Sequence, residues 1–394
     1  MKKKFTLWAY FAVAFMLAMS SFSIANVVEA ASPKAGFIFF HDEASTYDAN
    51  FMRAAEQACR EQGVEFVFKT AVPESEECTK IAAELVQEGC RIVFADSFGH
   101  DSYMAEAAKK FPAVYFITAT GVKSHTANLP NYHNAFATIY EGRYLTGIAA
   151  GMKLNEMIAE GKIAPNKAKI GYVGAYTYPE VISGYTAFFL GVRSVCKTAT
   201  MDVLFTGSWY DYDAEKKAAE QLVAGGAVLL GQHSDSMGVP SFCEANNIPN
   251  VAYNESLEKE YPKTFLVSSK INWKPYFTYI IDSVKNGKAI ARDWTGHMAD
   301  GSVEISAINE RVAAKGTARA LAKAQKKLSN GKVNVFDVRK FTVSGAQLNA
   351  FEAAISEGDV REAVKDGYFH ESEYRSAPYF DLTIDGVNLL NTAY

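Results

Sequence analysis

The chain has no basic cluster beyond its first few residues, no C-x-x-C pair, and no cysteine before Cys59. Each absence removes a class of function. With a formal net charge of −4 and no basic face, it carries no electrostatic footprint for a phosphate backbone, so nucleic acid is not its partner. Without an early cysteine, no lipid-modified N-terminal cysteine is available to tether the exported chain. The phosphate loop G-x-x-x-x-G-K-[ST], the metal motif H-E-x-x-H and the nucleophile elbow G-x-S-x-G are missing, as is any G-x-G-x-x-G after a strand. The seven histidines (41, 100, 125, 133, 233, 297 and 370) lack ligand spacing, so neither a metal nor a cofactor is expected.

The N-terminus has the form of an export signal. Met1 to Lys4 carries three lysines, the stretch from Phe5 to Ile24 is almost wholly apolar, and Val28-Glu29-Ala30 before Ala31 offers small residues to a signal peptidase. A transmembrane anchor is the alternative, but no flanking positive stop follows. Residues 1–30 are therefore expected to be removed and the protein to be free in the periplasm. Loss of Lys2, Lys3, Lys4 and Glu29 takes the formal charge from −4 to −6. Cys59, Cys78, Cys90, Cys196 and Cys243 would then meet an oxidising compartment. One bridge among Cys59, Cys78 and Cys90 and buried thiols throughout both fit their positions.

The dominant pattern is a repeated ladder. Apolar, β-rich runs begin near residues 36, 65, 91 and 113, and again near 170, 201, 228 and 250. Runs such as Gly36 to Phe40, Arg91 to Ala95 and Ala227 to Gly231 suit strands buried on both faces, as in parallel sheets covered by helices. The fold class expected is α/β, with two doubly wound Rossmann-like lobes joined by a hinge. The first lobe takes residues 31–140, completed by about 264–310, and the second takes 141–263, completed by about 311–394. The strand at 264–270 and the helix at 273–286 are expected to return to the first sheet. Beyond about residue 333 no repeat can be placed.

Ligands of such sheets bind beyond the carboxyl ends of the strands, so two facing lobes enclose a cleft lined by those ends. Asp96-Ser97-Phe98-Gly99-His100-Asp101 follows the third strand of the first lobe, and Gln232-His233-Ser234-Asp235-Ser236 follows its counterpart. Helix capping accounts for Ser97 and Asp101 as well as ligand binding does. Asp235, with a hydroxyl neighbour on each side, suits a vicinal diol, as in ribose. Tyr47, Phe98, Tyr176, Tyr178, Trp209 and Tyr210 also sit at strand ends, where rings exposed in loops are costly, and a flat solute between them is the natural ligand.

At these residues the chain resembles the Bmp (basic membrane protein) family of ABC-transporter substrate-binding proteins. The segments that carry the resemblance are Ser97-Phe98-Gly99, Tyr140 to Tyr144, Gly171 to Gly174, Pro179 to Gly184, Ser208 to Asp211, Gln232 to Ser236 and Asn272 to Tyr276. It implies a type I periplasmic binding protein that takes a purine nucleoside or nucleobase and delivers it to an ABC transporter permease, as a monomer and with no catalysis. It also implies that Asp235 contacts ribose, that Tyr176 stacks from the second lobe, and that Trp209 and Asn272 lie near the ligand. The first loop departs from the family: Asp42 is followed by Glu43-Ala44-Ser45, so either Tyr47 supplies the first-lobe ring or the ligand is not a purine. The residues expected to touch ligand are Asp42, Tyr47, Ser97, Phe98, Tyr176, Trp209, Asp235, Asn254 and Asn272. A sensory receptor serving a signalling kinase is the rival within this fold, and a ribohydrolase using Asp42, Asp96 or Asp235 is the rival enzyme.

Overall fold

The computed structural model describes residues 33–393, and the expected leader at 1–30 lies outside them. Five parallel strands open the first lobe: β1 (Lys34–Ile38), β2 (Phe66–Lys69), β3 (Cys90–Ala95), β4 (Tyr115–Ala119) and β5 (Tyr132–Ala137). They lie in the order β2-β1-β3-β4-β5. The second lobe repeats the arrangement with β6 (Lys169–Gly174), β7 (Thr200–Phe205), β8 (Leu229–His233), β9 (Asn250–Tyr253) and β10 (Phe265–Ile271), in the order β7-β6-β8-β9-β10. All five residues of β8 are buried, as a strand covered on both faces requires.

The ladder thus has five rungs in each lobe, and this corrects the expected boundary. The strand at 265–271 does not complete the first sheet. It pairs in parallel with β9 and is to the second lobe what β5 is to the first. The helix after it, Lys274–Lys285, does return to the first lobe. There Trp273 stacks on Phe51 at 4.3 Å, and Phe277 meets Phe37 and Phe94 edge-on at 5.3 and 5.1 Å. Burial of these rings decides which lobe the helix joins. Reciprocally, the helix Tyr140–Ala159 leaves β5 and packs on Pro179–Val195 of the second lobe. A Cβ at Gly147 would sit 2.0 Å from the Phe188 carbonyl oxygen, so these two helices meet backbone to backbone. The chain then adds β11 (Asp293–Gly296) to the first sheet beside β5, and β12 (Val303–Ile305) antiparallel to β10.

The last sixty residues form two hairpins, β13 (Glu352–Ser356) with β14 (Asp359–Glu362) and β15 (Val364–Lys365) with β16 (Tyr368–Phe369). A final strand, β17 (Val387–Leu389), runs parallel to β7 and so extends the second sheet. This segment does not serve the second lobe alone. The Ser376 amide donates to Asp293 at 2.8 Å, and Asn134 donates to the Ser376 hydroxyl at 2.7 Å, both at the edge of the first sheet. Glu371 accepts from Ser183 on the second lobe. All five cysteines stand as buried free thiols.

Candidate functional site

The carboxyl ends of the two sheets line a single cleft. From the first lobe come Phe40 and His41 after β1, Tyr47 and Asp48 from the first turn of the helix Thr46–Gln62, Ser97 and Phe98 after β3, and Thr120 after β4. From the second come Glu180 at the start of Pro179–Val195, Trp209 after β7, His233 and Asp235 at and after the end of β8, and Tyr253 closing β9. Together they bound about 410 Å3 of space, its open side included.

The lobes touch across this cleft, so the arrangement is closed. The Thr46 amide and hydroxyl both donate to the Asp235 carbonyl, at 3.2 and 3.3 Å. Asn50 donates to the Ile271 carbonyl at 2.7 Å, Arg53 pairs with Glu255, and the rings of Phe98 and Tyr178 lie 5.7 Å apart.

Carboxyl groups dominate the polar lining. Asp235 is 4% exposed, and among the described residues none donates a hydrogen bond to its carboxyl. Burial, followed by the charges of Asp48, Glu215 and Glu180, pushes its carboxyl far above the ordinary range. Asp48 is buried as well, but bonds to its side chain from His41, Asp96 and Ser45, with a further one from the His41 amide at 2.8 Å, hold it below that range. Asp96 sits beside it, fully buried, and burial together with the Asp48 charge raises its carboxyl strongly. Burial lifts Glu180 to about 7, against the pull of Arg143.

Behind this layer lies Arg143, 2% exposed, with its guanidinium carbon 3.7 Å from the centre of the Tyr253 ring and one nitrogen donating to the Gln232 carbonyl at 2.8 Å. Burial and this cation keep His233 neutral. The His233 ring nitrogens and the Tyr253 hydroxyl have no hydrogen-bond partner, although His233 Nε2 stands 3.5 Å from a Glu180 oxygen. Buried polar groups are seldom left unpaired without reason, and several facing one cleft make a surface prepared for a polar solute.

Of the nine residues expected from sequence, Tyr47, Ser97, Phe98, Trp209 and Asp235 line the cavity. Ser97 stands at the N-cap of a short helical turn, but its side chain makes no capping bond; its hydroxyl donates to Glu74 at 2.5 Å. Tyr47 lies on Phe51 and donates to the Asp96 carbonyl at 3.1 Å. The other four stand elsewhere. Asp42 is exposed and accepts from the Ala44 amide, as a turn residue does. Tyr176 stacks on Tyr178 at 5.1 Å and meets Trp209 edge-on at 5.2 Å, so it backs the cavity ring instead of being that ring. Asn254, at a left-handed φ of 64°, donates its backbone N–H to the Ser269 carbonyl. Asn272 is a hinge residue, donating to the Gly301 carbonyl at 3.1 Å and accepting from Lys274 at 3.2 Å.

Sequence reading passed over Asp48, Glu180, His233 and Tyr253 as site residues. Ser45-x-x-Asp48 looks like helix capping, and Ser45 does cap. Glu180, in the first turn of Pro179–Val195, carries the same ambiguity, since a carboxylate there is explained by the helix itself.

Two lobes with matching sheets, crossed by the chain at a hinge and closed over an aromatic and acidic cleft, define a type I periplasmic binding protein. Within that class the chain belongs to the Bmp family, whose description is ABC transporter substrate-binding protein PnrA-like, matched over residues 38–335. It is 29% identical to a purine-binding protein of Brucella abortus (strain 2308), over 69% of this chain and 75% of that protein. It is 28% identical to a proposed ABC transporter glucose-binding protein of Haloferax volcanii, over 63% and 60%. A solute-binding protein from Conexibacter woesei shares the fold, with a TM-score of 0.62 at 17% identity over 77% of this chain and 98% of that one. Another from Aeropyrum pernix does so with a TM-score of 0.64 at 16% identity, over 77% and 93%.

Proposed function

We propose that the chain is the periplasmic solute-binding component of an ABC importer and holds a purine nucleoside or nucleobase in the interlobe cleft. The observation that carries this reading is the buried Asp235 carboxylate, left without a donor in a cavity walled by rings from both lobes. A vicinal diol supplies the two donors that Asp235 lacks, and a flat base between Trp209 and the first-lobe rings Tyr47 and Phe98 takes up the π faces. Asp48 and Glu180 are acceptors for the N–H groups of a base edge. The purine-binding relative favours the same solute.

The cleft does no chemistry in this account. Ligand that contacts both lobes binds the closed form better than the open one, and that difference is what a permease reads. Among the described residues no helix is long and apolar enough to cross a membrane. Mass spectrometry of small molecules released on denaturing the purified protein tests the assignment. A purine base or nucleoside supports it, and a sugar in stoichiometric amount overturns it.

A further inference from the structure

A second chamber lies beside the ligand cleft. It encloses about 670 Å3, its open side included, and shares three wall residues with the cleft: Phe98, Thr120 and Glu180. Its other walls are of a different character. Val122 from the first lobe, Tyr178 and Pro179 from the second, and Ala377 and Pro378 from the C-terminal segment make it largely apolar. Arg375 also borders it but offers no free charge there. Its guanidinium donates to the carbonyls of Ala377 at 3.1 Å, Ile355 at 2.5 Å and Pro378 at 3.0 Å, which leaves the aliphatic stem as the contact surface.

Two features mark the junction. Phe98 is 41% exposed despite its place at the cleft, so its ring has a face that the protein does not cover. Thr120 is 4% exposed and holds a φ of 57°, a left-handed conformation costly for a β-branched residue and characteristic of ligand sites. The Ala377 wall lies outside residues 38–335, the part of the chain that matches the family, so this enclosure is a property of the chain's own C-terminal segment.

We propose that this chamber is a subsite for an apolar substituent on the ligand, so that the protein selects purine bases or nucleosides bearing a hydrophobic group over the unsubstituted compounds. The inference rests on the purine reading of the cleft. Burying even a few methylene groups there gives a gain of about tenfold or more in affinity.

The test is calorimetric titration of the full-length mature protein with adenine and N6-benzyladenine, and with adenosine and 5′-methylthioadenosine. One substituted compound is expected to bind at least about tenfold tighter than its parent. Ala377→Phe, which fills the chamber from the C-terminal side, is expected to abolish that preference while leaving the parent's affinity within about twofold. Val122→Phe does the same from the first lobe, and guards against a folding defect in either variant. If the parent binds and neither substituted compound binds tighter, the subsite is refuted and the purine reading stands. If both variants lose the parent as well, the chamber is the entry path and the subsite is refuted. If no purine binds the unsubstituted protein, the purine reading fails and takes the subsite with it.

Discussion

Replacing Asp235 by Asn separates ligand binding from folding, because the two effects have opposite signs. In the unliganded protein this carboxyl is buried without a donor, and burial raises it far above its ordinary value near 3.8. An acid raised in the folded state costs stability as pH climbs above the unfolded value, since the folded chain must keep a proton or bury a charge. The amide removes that cost and leaves an unpaired polar group of similar size. The net stabilisation at pH 7 to 8 is about 1 to 3 kcal/mol, the scale for unsatisfied buried groups. With an unfolding entropy of about 2 cal/mol/K per residue, each kcal/mol moves the midpoint of a chain this long by only about 1 to 1.5 °C. Asp235→Asn is therefore expected to melt a few degrees higher than the parent at pH 8 and within a degree of it at pH 4.5. Binding moves the other way. Loss of a charge-assisted pair of bonds to a diol costs about 3 kcal/mol, roughly a hundredfold in Kd. Differential scanning calorimetry at the two pH values and titration with a nucleoside read both quantities. A variant that melts lower than the parent yet binds normally would assign Asp235 to structure and refute the reasoning.

Trp209→Leu is expected to weaken purine binding by about tenfold or more, since a stacked base gains roughly 1 to 3 kcal/mol; Tyr176→Leu, acting only through its 5.2 Å edge contact with Trp209, should cost less in the same titration. Glu371 is 3% exposed and raised to about 7 by burial, so the folded protein loses stability as pH rises from 4.5 through 7. Glu371→Gln should flatten that slope, with a gain of up to about 3 kcal/mol at pH 8 and little at pH 4.5, read from urea unfolding at both pH values. Asn50 is not one of the cavity-lining residues but bonds across the lobes to Ile271 at 2.7 Å. Asn50→Ala should lower affinity about fivefold by releasing the closed form, with a larger radius of gyration by solution scattering; unchanged values of both would show that this bond does not hold the lobes together.

The two-lobe architecture was legible because it is written in apolar runs whose spacing repeats, and the β1 to β4 and β6 to β9 strands fall within a few residues of where those runs begin. The destination of the strand at 265–271 was not legible. Nothing local tells a strand which sheet to join: the pairing with β9 settles the strand, and the insertion of Trp273 and Phe277 among first-lobe rings settles the helix after it. In the site, residues directly beyond strand ends, such as Asp235, Trp209 and Phe98, were readable from position. Asp48 and Glu180 were hidden inside first helical turns, where a carboxylate is explained by the helix itself. Tyr176 and Trp209 could not be ranked from sequence, because which ring of a stack faces the cavity depends on packing. The C-terminal segment carries no periodic signal, and its contact with both lobes depends on single side chains such as Ser376 and Glu371.

The most direct test of the account is calorimetric titration of the mature protein, unfolded and refolded to strip bound solute, against adenosine, guanosine, adenine, guanine and glucose. The account predicts saturable one-to-one heat with at least one purine and none with glucose. Saturable binding of glucose with no response to any purine would contradict it.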